Sequence, residues 1–289
     1  MHVDPLSYDH VKFHRLLLGS IAPRPIALAS TIDSDGNPNL SPFSFFNAFG
    51  VNPATLIFSP SRRGRDNTTK HTFENLKQIP EVVINVVTYN MVQQTSLSST
   101  EYPKGVNEFV KSGFTAIPSE KIRPMRVQES PVQFECKVRQ IIETGDGPGA
   151  GNLIICDIML MHVDEKVLNT NNEIDQDSID LVGRMGGDYY VRTSGLHKFI
   201  VPKPLTSLGI GIDNLPAKIR LSAHLTGNDL GQLGNLNHLP DQELIDNCMM
   251  DTNLAGRYAL EPLAVFHDAK HLIEDGKPED ALALLIAFA

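Results

Sequence analysis

Residues 40–53 read "LSPFSFFNAFGVNP". Four phenylalanines (Phe43, Phe45, Phe46 and Phe49) fall within seven residues, and polar Ser41, Ser44 and Asn47 run between them. A strand with one buried face alternates apolar and polar side chains. This stretch does so only loosely. It carries too much aromatic surface for a loop and too many hydrogen-bonding side chains for a plain core strand. The mixture predicts a strand held in place by its phenylalanines, two of the four serving the core alone. Whatever packs against the serines and the asparagine must take both apolar and polar contact.

The neighbouring sequence supplies the strands around it. Residues 24–31, "RPIALAST", read as a mostly buried strand, and "DSDGNPN" is a turn containing Asp-Gly. Residues 39–47 are then the return strand of a hairpin, and "TLIFS" at 55–59 is a third strand. From residue 66 the period changes: Asp66 or Asn67 as cap, Phe73, Leu76 and Lys77 at helical spacing, and Pro80 as stop predict a helix over 66–78. "EVVINVV" at 81–87 is a β-branched strand, and 90–112 holds short helices around "YPKGVNEF". A second hairpin runs from "PVQFECKVRQIIET" (131–144) through "GDGPGAG" to "NLIICDIMLMHV" (152–163). Long antiparallel strands joined by glycine turns point to a barrel rather than a parallel sheet. Near residue 200 the character shifts. "VPKPLTSLG" reads as a linker, and helical runs follow at 240–250, within 254–273, and in the terminal "PEDALALLIAFA". The expected architecture is mainly β with added helices: an antiparallel barrel over 1–198 and a helical extension over 199–289.

Composition narrows the function. The 289-residue chain has a formal net charge of −9, which speaks against nucleic acid or an anionic membrane as the main partner. It leaves room for a local basic pocket, and Arg62, Arg63 and Arg65 sit together. The three cysteines are too far apart for a metal cluster. Cys136 and Cys156 lie in apolar runs and read as buried structural thiols, which suits a reducing compartment. The N-terminus lacks the cationic start and apolar run of a signal peptide, and no apolar stretch approaches the roughly 20 residues that span a bilayer. A cytoplasmic protein is expected. "GIGID" at 209–213 lacks the third glycine and the preceding strand of a dinucleotide loop. His267 and His271 are four apart on an expected helix but have no third ligand, so they read as an exposed face. No G-x-S-x-G is present. No catalytic residue and no metal site is assigned.

The informative signal is an ordered set of stretches. "PRPIALAST" comes first, then "NLSPFSFFNAF…NPA". Lys70, Thr72 and Asn75 follow in a K-x-T-x-x-N pattern, and Glu81 and Asn85 in E-x-x-x-N. "ESPVQFECKV" and "RMGGDYYVR" (184–192) close the set. In this order and spacing the chain resembles the flavin reductase-like, FMN-binding split-barrel family, to which flavoredoxin-type proteins belong. The resemblance covers roughly residues 21–190.

It implies a split β-barrel, bound FMN, a homodimer with flavin near the subunit interface, and NADH or NADPH as electron donor. Carried over position by position, it implies cofactor contacts from Ser41, Ser44, Asn47, Ser59, Ser61, Arg62, Lys70 and Thr72. Ser98 or Ser99 is added from the next loop, and Arg184 from the closing motif, in its own subunit or across the dimer. The residue types suit the ligand. A flavin takes apolar contact at its dimethylbenzene edge, donors at its pyrimidine edge, and cations and hydroxyls at its phosphate. Two positions depart from the family pattern: His71 stands where an acid is common, and Phe49-Gly50 where a serine is common. The helical extension is outside the family pattern and leaves three roles open: capping the barrel, shaping the substrate opening, or adding to a subunit interface. Three functions also stand: an NAD(P)H-dependent reductase passing electrons through FMN to an acceptor, an FMN-holding electron carrier without a nicotinamide site, and a relative without flavin that acts as an interaction module.

Overall fold

The computed structural model describes residues 1–196, 198–201 and 208–289. It forms two compact units, Met1–Phe199 and Ile200–Ala289. Residues 202–207 of the expected linker lie outside the described residues.

The first unit opens with helix α1 (His10–Ser20), capped by Asp9, whose carboxylate accepts from Lys12 N. Sequence reading gave no helix here; α1 buries none of its residues fully, and only Phe13, Leu17 and Leu18 are partly covered. Strands β1 (Ala27–Ile32), β2 (Pro38–Phe43), β3 (Phe46–Val51) and β4 (Ala54–Phe58) come next. Helix α2 (His71–Gln78), β5 (Glu81–Val86), α3 (Val92–Leu97) and α4 (Glu108–Ser112) follow. A minor pair, β6 (Ala116–Ile117) and β7 (Arg126–Val127), precedes the long hairpin of β8 (Val132–Glu143) and β9 (Asn152–Val163). The closing hairpin is β10 (Val182–Arg184) and β11 (Tyr190–Arg192).

Seven strands make one sheet in the order β2-β1-β5-β8-β9-β4-β3, with every neighbouring pair antiparallel. Its two edges, β2 and β3, are consecutive in sequence, with only Ser44 and Phe45 between them. A flat sheet would hold those edges six spacings apart, about 29 Å. Three Cα steps from Phe43 to Phe46 reach at most about 11 Å. The sheet therefore has to roll. Bulges between Glu135 and Cys136 and between Val138 and Gln140 bend the long hairpin for this purpose. No ladder joins β2 to β3, so the barrel stays split along that seam.

The expected single strand over 39–47 is thus corrected to two strands on opposite edges. Phe45 O accepts from Ser59 N at 2.9 Å, which fixes the break against the end of β4. Phe43 is in the core and Phe46 packs against it, whereas Phe45 and Phe49 are 41% and 65% exposed. The expected helix over 66–78 begins only at His71. Asp66 instead caps a turn, accepting from Thr68 N at 3.0 Å and Thr68 Oγ1 at 2.7 Å, and Asn67 adopts a left-handed conformation at φ 59°.

Phe43 and Phe58 meet inside the barrel with ring centroids 5.5 Å apart, joined there by Phe73 and Leu76 from α2. Cys136 and Cys156 are fully buried in this core, and burial pushes the Cys136 thiol up to about 12. The outer edge of β2 is protected by α4: Glu108 accepts from Leu40 N at 3.0 Å, which satisfies a donor that no strand pairs.

The second unit contains α5 (Ala217–Arg220), α6 (Gly227–Gly234), α7 (Gln242–Met250), α8 (Thr252–Leu260), α9 (Ala264–Glu274) and α10 (Pro278–Phe288). They pack around Leu233, Val265, Ala269, Leu282 and Leu285. Helix α6, unread in the sequence, starts on a capping box between Thr226 and Asp229. "GIGID" is a packing segment. Ile210 N donates to Leu236 O at 2.7 Å and Gly211 N to Gly234 O at 2.9 Å, an approach so close that a Cβ on Gly209 would lie 2.7 Å from Gly234 O. Among the described residues, no helix is long and apolar enough to cross a membrane.

Phe58 has no exposed surface. Phe58→Ala should lower the unfolding free energy of the barrel unit by about 3–5 kcal/mol, read from urea melts. A loss below about 1 kcal/mol would mean that the Phe43–Phe58 contact does not hold the closed sheet.

Candidate functional site

The seam between β2 and β3 opens onto a cleft of about 440 Å3. One wall is the β2–β3 link with its flanking residues Pro42, Phe43, Ser44 and Phe45. The other is the turn after β4, with Ser59, Ser61, Arg62, Arg63 and Arg65, and Lys70 at the cap of α2. Aromatic rings and serine hydroxyls therefore face cations across one opening.

Arg62 and Arg63 are held by the local fold. Arg62 donates through Nε to Asn67 Oδ1 at 2.7 Å and through Nη2 to Asn67 O at 2.6 Å, so the left-handed Asn67 braces it. Arg63 Nη1 donates to Thr68 Oγ1 at 2.9 Å and also to Thr69 O. Hydrogen bonds from the hydroxyl and backbone of Thr68 hold the Asp66 carboxyl down at about 2. Asp66 is thus a permanent anion beneath the turn. Burial, and then the Arg63 charge, push the Lys70 ammonium below its ordinary value. Lys70 pays for this position only partly, through Glu101 at 3.8 Å.

Ser44, Ser59, Ser61, Arg62 and Lys70 meet in this cleft. Ser59 is buried, and its Oγ accepts from Asn152 N at 3.0 Å. Ser41, Thr72 and Ser98 line a small adjoining pocket that shares Arg63, Lys70 and Glu101 with the cleft. Their hydroxyls are partly committed: Thr72 Oγ1 accepts from Asn39 Nδ2 at 2.9 Å, and Ser98 donates to Thr95 O at 2.8 Å. Ser99 likewise donates to Ser96 O at 2.6 Å. Two residues lie elsewhere. Asn47 is exposed on β3, with its Oδ1 accepting from Ala48 N, and is outside the cleft lining. Arg184 lines a separate cleft of about 580 Å3, where it donates to Tyr190 OH at 2.8 Å and Gly187 O at 3.0 Å.

Three charged residues of the cleft, Arg63, Arg65 and Glu101, were outside the expected set. The run of arginines marked the first two. Glu101 gave no signal, because it approaches from a segment more than thirty positions away in sequence. Arg24 was also unassigned. It is buried and donates to Leu18 O at 2.6 Å, Met185 O at 2.9 Å and Ser44 Oγ at 3.4 Å, which ties the β2–β3 link to two other segments. Burial and then the neighbouring Arg184 lower its basicity. His267 and His271 are exposed on α9 with Nε2 atoms 3.3 Å apart, and no third His, Cys, Asp or Glu joins them in a cluster that could hold a metal among the described residues.

A rolled antiparallel barrel presents hydroxyls, cations and aromatic surface together at its seam. The family model for the flavin reductase like domain matches residues 18–177, and the chain belongs to that family. Its function accordingly lies in flavin-linked redox chemistry. An uncharacterized protein of Aquifex aeolicus is 36% identical over 187 residues, 65% of this chain and 93% of that one. Component B of nitrilotriacetate monooxygenase from Bacillus cereus superposes with a TM-score of 0.64 at 25% identity, covering 69% of this chain and 98% of its own. The 2-nitrobenzoate 2-nitroreductase of Pseudomonas fluorescens gives 0.61 at 27% identity, covering 72% and 100%.

Glu108 sits at the rim of the small pocket, and burial raises its carboxyl above the ordinary value. A carboxyl raised in the folded state opposes folding increasingly as pH rises through the carboxylate range. Glu108→Gln keeps an acceptor for Leu40 N and removes that opposition. Its stability relative to wild type should therefore rise between pH ~4 and pH ~7, measured by urea melts. A relative stability that falls over this range would contradict the raised value.

Proposed function

We propose that the protein binds FMN in the seam cleft and carries electrons from NADH or NADPH through it to an acceptor, as a homodimer. One observation carries the reading: the braced cations of the 61–65 turn and Lys70 face aromatic residues and Ser44 across a single cleft. The donor set fits the group. Ser61, Arg62, Arg63 and Lys70 offer the cations and hydroxyl that a phosphate takes. Pro42, Phe43 and Phe45 offer apolar surface for the ring system, and Ser44 and Ser41 offer donors at its polar edge. Ser59 serves by fixing the turn through Asn152 N. Thr72 and Ser98 act from the adjoining pocket, Asn47 from the open face of β3, and Arg184 from the second cleft.

Bound FMN supplies the hydride-accepting and electron-passing chemistry. The chain's own residues bind and orient. The arginine turn and Lys70 set the phosphate end, and the β2–β3 link sets the ring end. No side-chain acid or base is required for hydride transfer. Support for the homodimer comes from edge strand β3, which pairs only with β4 and leaves Phe49 and Val51 65% and 94% exposed. A nitroreductase among the similar structures favours an enzyme over a passive carrier.

The purified protein should show a flavin spectrum after incubation with FMN, and that spectrum should bleach when NADH or NADPH is added without oxygen. Flavin that responds to dithionite alone would make the protein a carrier. Absence of flavin uptake would remove the reading altogether. Lys70→Ala should weaken FMN roughly 10- to 100-fold, the worth of a charge-assisted hydrogen bond, while riboflavin binding changes little. Equal loss for both ligands would remove Lys70 from the phosphate end.

A further inference from the structure

The cations of the cleft already surround an anion. The Glu101 carboxylate lies 3.1 Å from Arg63 Nε and 3.8 Å from Lys70 Nζ, and it is paired with Arg65 as well. It comes from the segment after α3, opposite the turn that carries the arginines. Among the described residues its carboxylate is held by these cations alone, and its side chain is 33% exposed. Arg63 has independent tethers to Thr68 Oγ1 and Thr69 O, and Arg62 is braced by Asn67. Arg62 and Arg63 therefore keep their places when Glu101 leaves, and Glu101 has nothing else to keep it in place.

A carboxylate and a phosphate ask for the same charge-assisted donors. We propose that Glu101 is a resident counter-anion of the phosphate cradle, displaced when the phosphate of FMN enters, so that it lowers the affinity for phosphorylated flavin and lets that flavin exchange. This inference rests on the flavin reading above and adds to it: FMN is a ligand that arrives and leaves, not one held permanently. Without Glu101 the same cations would carry an uncompensated charge and would grip an anion more tightly. The effect belongs to the phosphate end, so a flavin lacking phosphate should not sense it.

The test is calorimetric titration of the full chain, flavin-free, as wild type, Glu101→Gln and Glu101→Ala. The ligands are FMN, riboflavin and inorganic pyrophosphate. Both variants should bind FMN and pyrophosphate at least about fivefold more tightly than wild type, the scale of several exposed ion pairs, and riboflavin within about twofold of it. Unchanged or weaker binding of FMN and pyrophosphate in both variants overturns the inference, since Glu101 would then be indifferent or would help to hold the cradle. The two readings fail separately. If neither flavin binds while pyrophosphate tightens in the variants, the flavin reading falls and the counter-anion stands. If the flavins bind but the variants shift neither anion, the counter-anion falls and the flavin reading stands. No binding of any ligand by any of the three proteins overturns both.

Discussion

Two residues, Ser44 and Phe45, join the opposite edges of a seven-stranded sheet, and this short span governs the rest of the barrel. It forces the sheet to roll, and the bulged β8–β9 hairpin is where the roll is absorbed. It also decides where the barrel stays open. The β2–β3 seam has no ladder, so polar and aromatic side chains are presented there without competing for backbone pairing. Arg24 and Ser59 hold the span from either side, through Ser44 Oγ and Phe45 O. Phe43 and Phe46 then pack with the core, Phe43 also reaching the cleft wall, while Phe45 stays exposed at the cleft.

The second constraint is electrostatic. A chain with a net charge of −9 gathers Arg62, Arg63, Arg65 and Lys70 at one turn. Like charges at that density repel unless the fold fixes them. Here Asn67, Thr68 and Asp66 do the fixing from below, and Glu101 neutralises part of the charge from across the cleft. A preorganised set of donors costs little to arrange at the moment a phosphate arrives. Local basicity in an acidic protein is thus a property of one turn, and bulk composition says nothing about it.

How much was legible in the sequence follows from the range of each interaction. The long hairpin was readable because apolar side chains alternate over both strands and glycines mark the turn between them; the observed strands are Val132–Glu143 and Asn152–Val163. Ser44, Ser59, Ser61, Arg62 and Lys70 were readable as a family pattern, and they line one cleft. The break at Ser44 was hidden because two strands of similar composition abut without glycine or proline at the joint. Only the pairing of Ala27 with Phe43 and of Phe46 with Phe58, at opposite edges, reveals it. The late start of α2 was hidden by Asp66 and Asn67, which are good caps that here close a turn instead. Glu101 and Arg24 act over long sequence separations, through contacts that no local pattern encodes.

We propose that closing the sheet at Ser44–Phe45 creates the phosphate end of a flavin site. A crystal structure of the protein grown with FMN tests it most directly. The phosphate should lie among Ser61, Arg62, Arg63 and Lys70, with the ring system against the β2–β3 link. Flavin bound only in the cleft beside Arg184 and Tyr190, with the arginine turn left free, would contradict it.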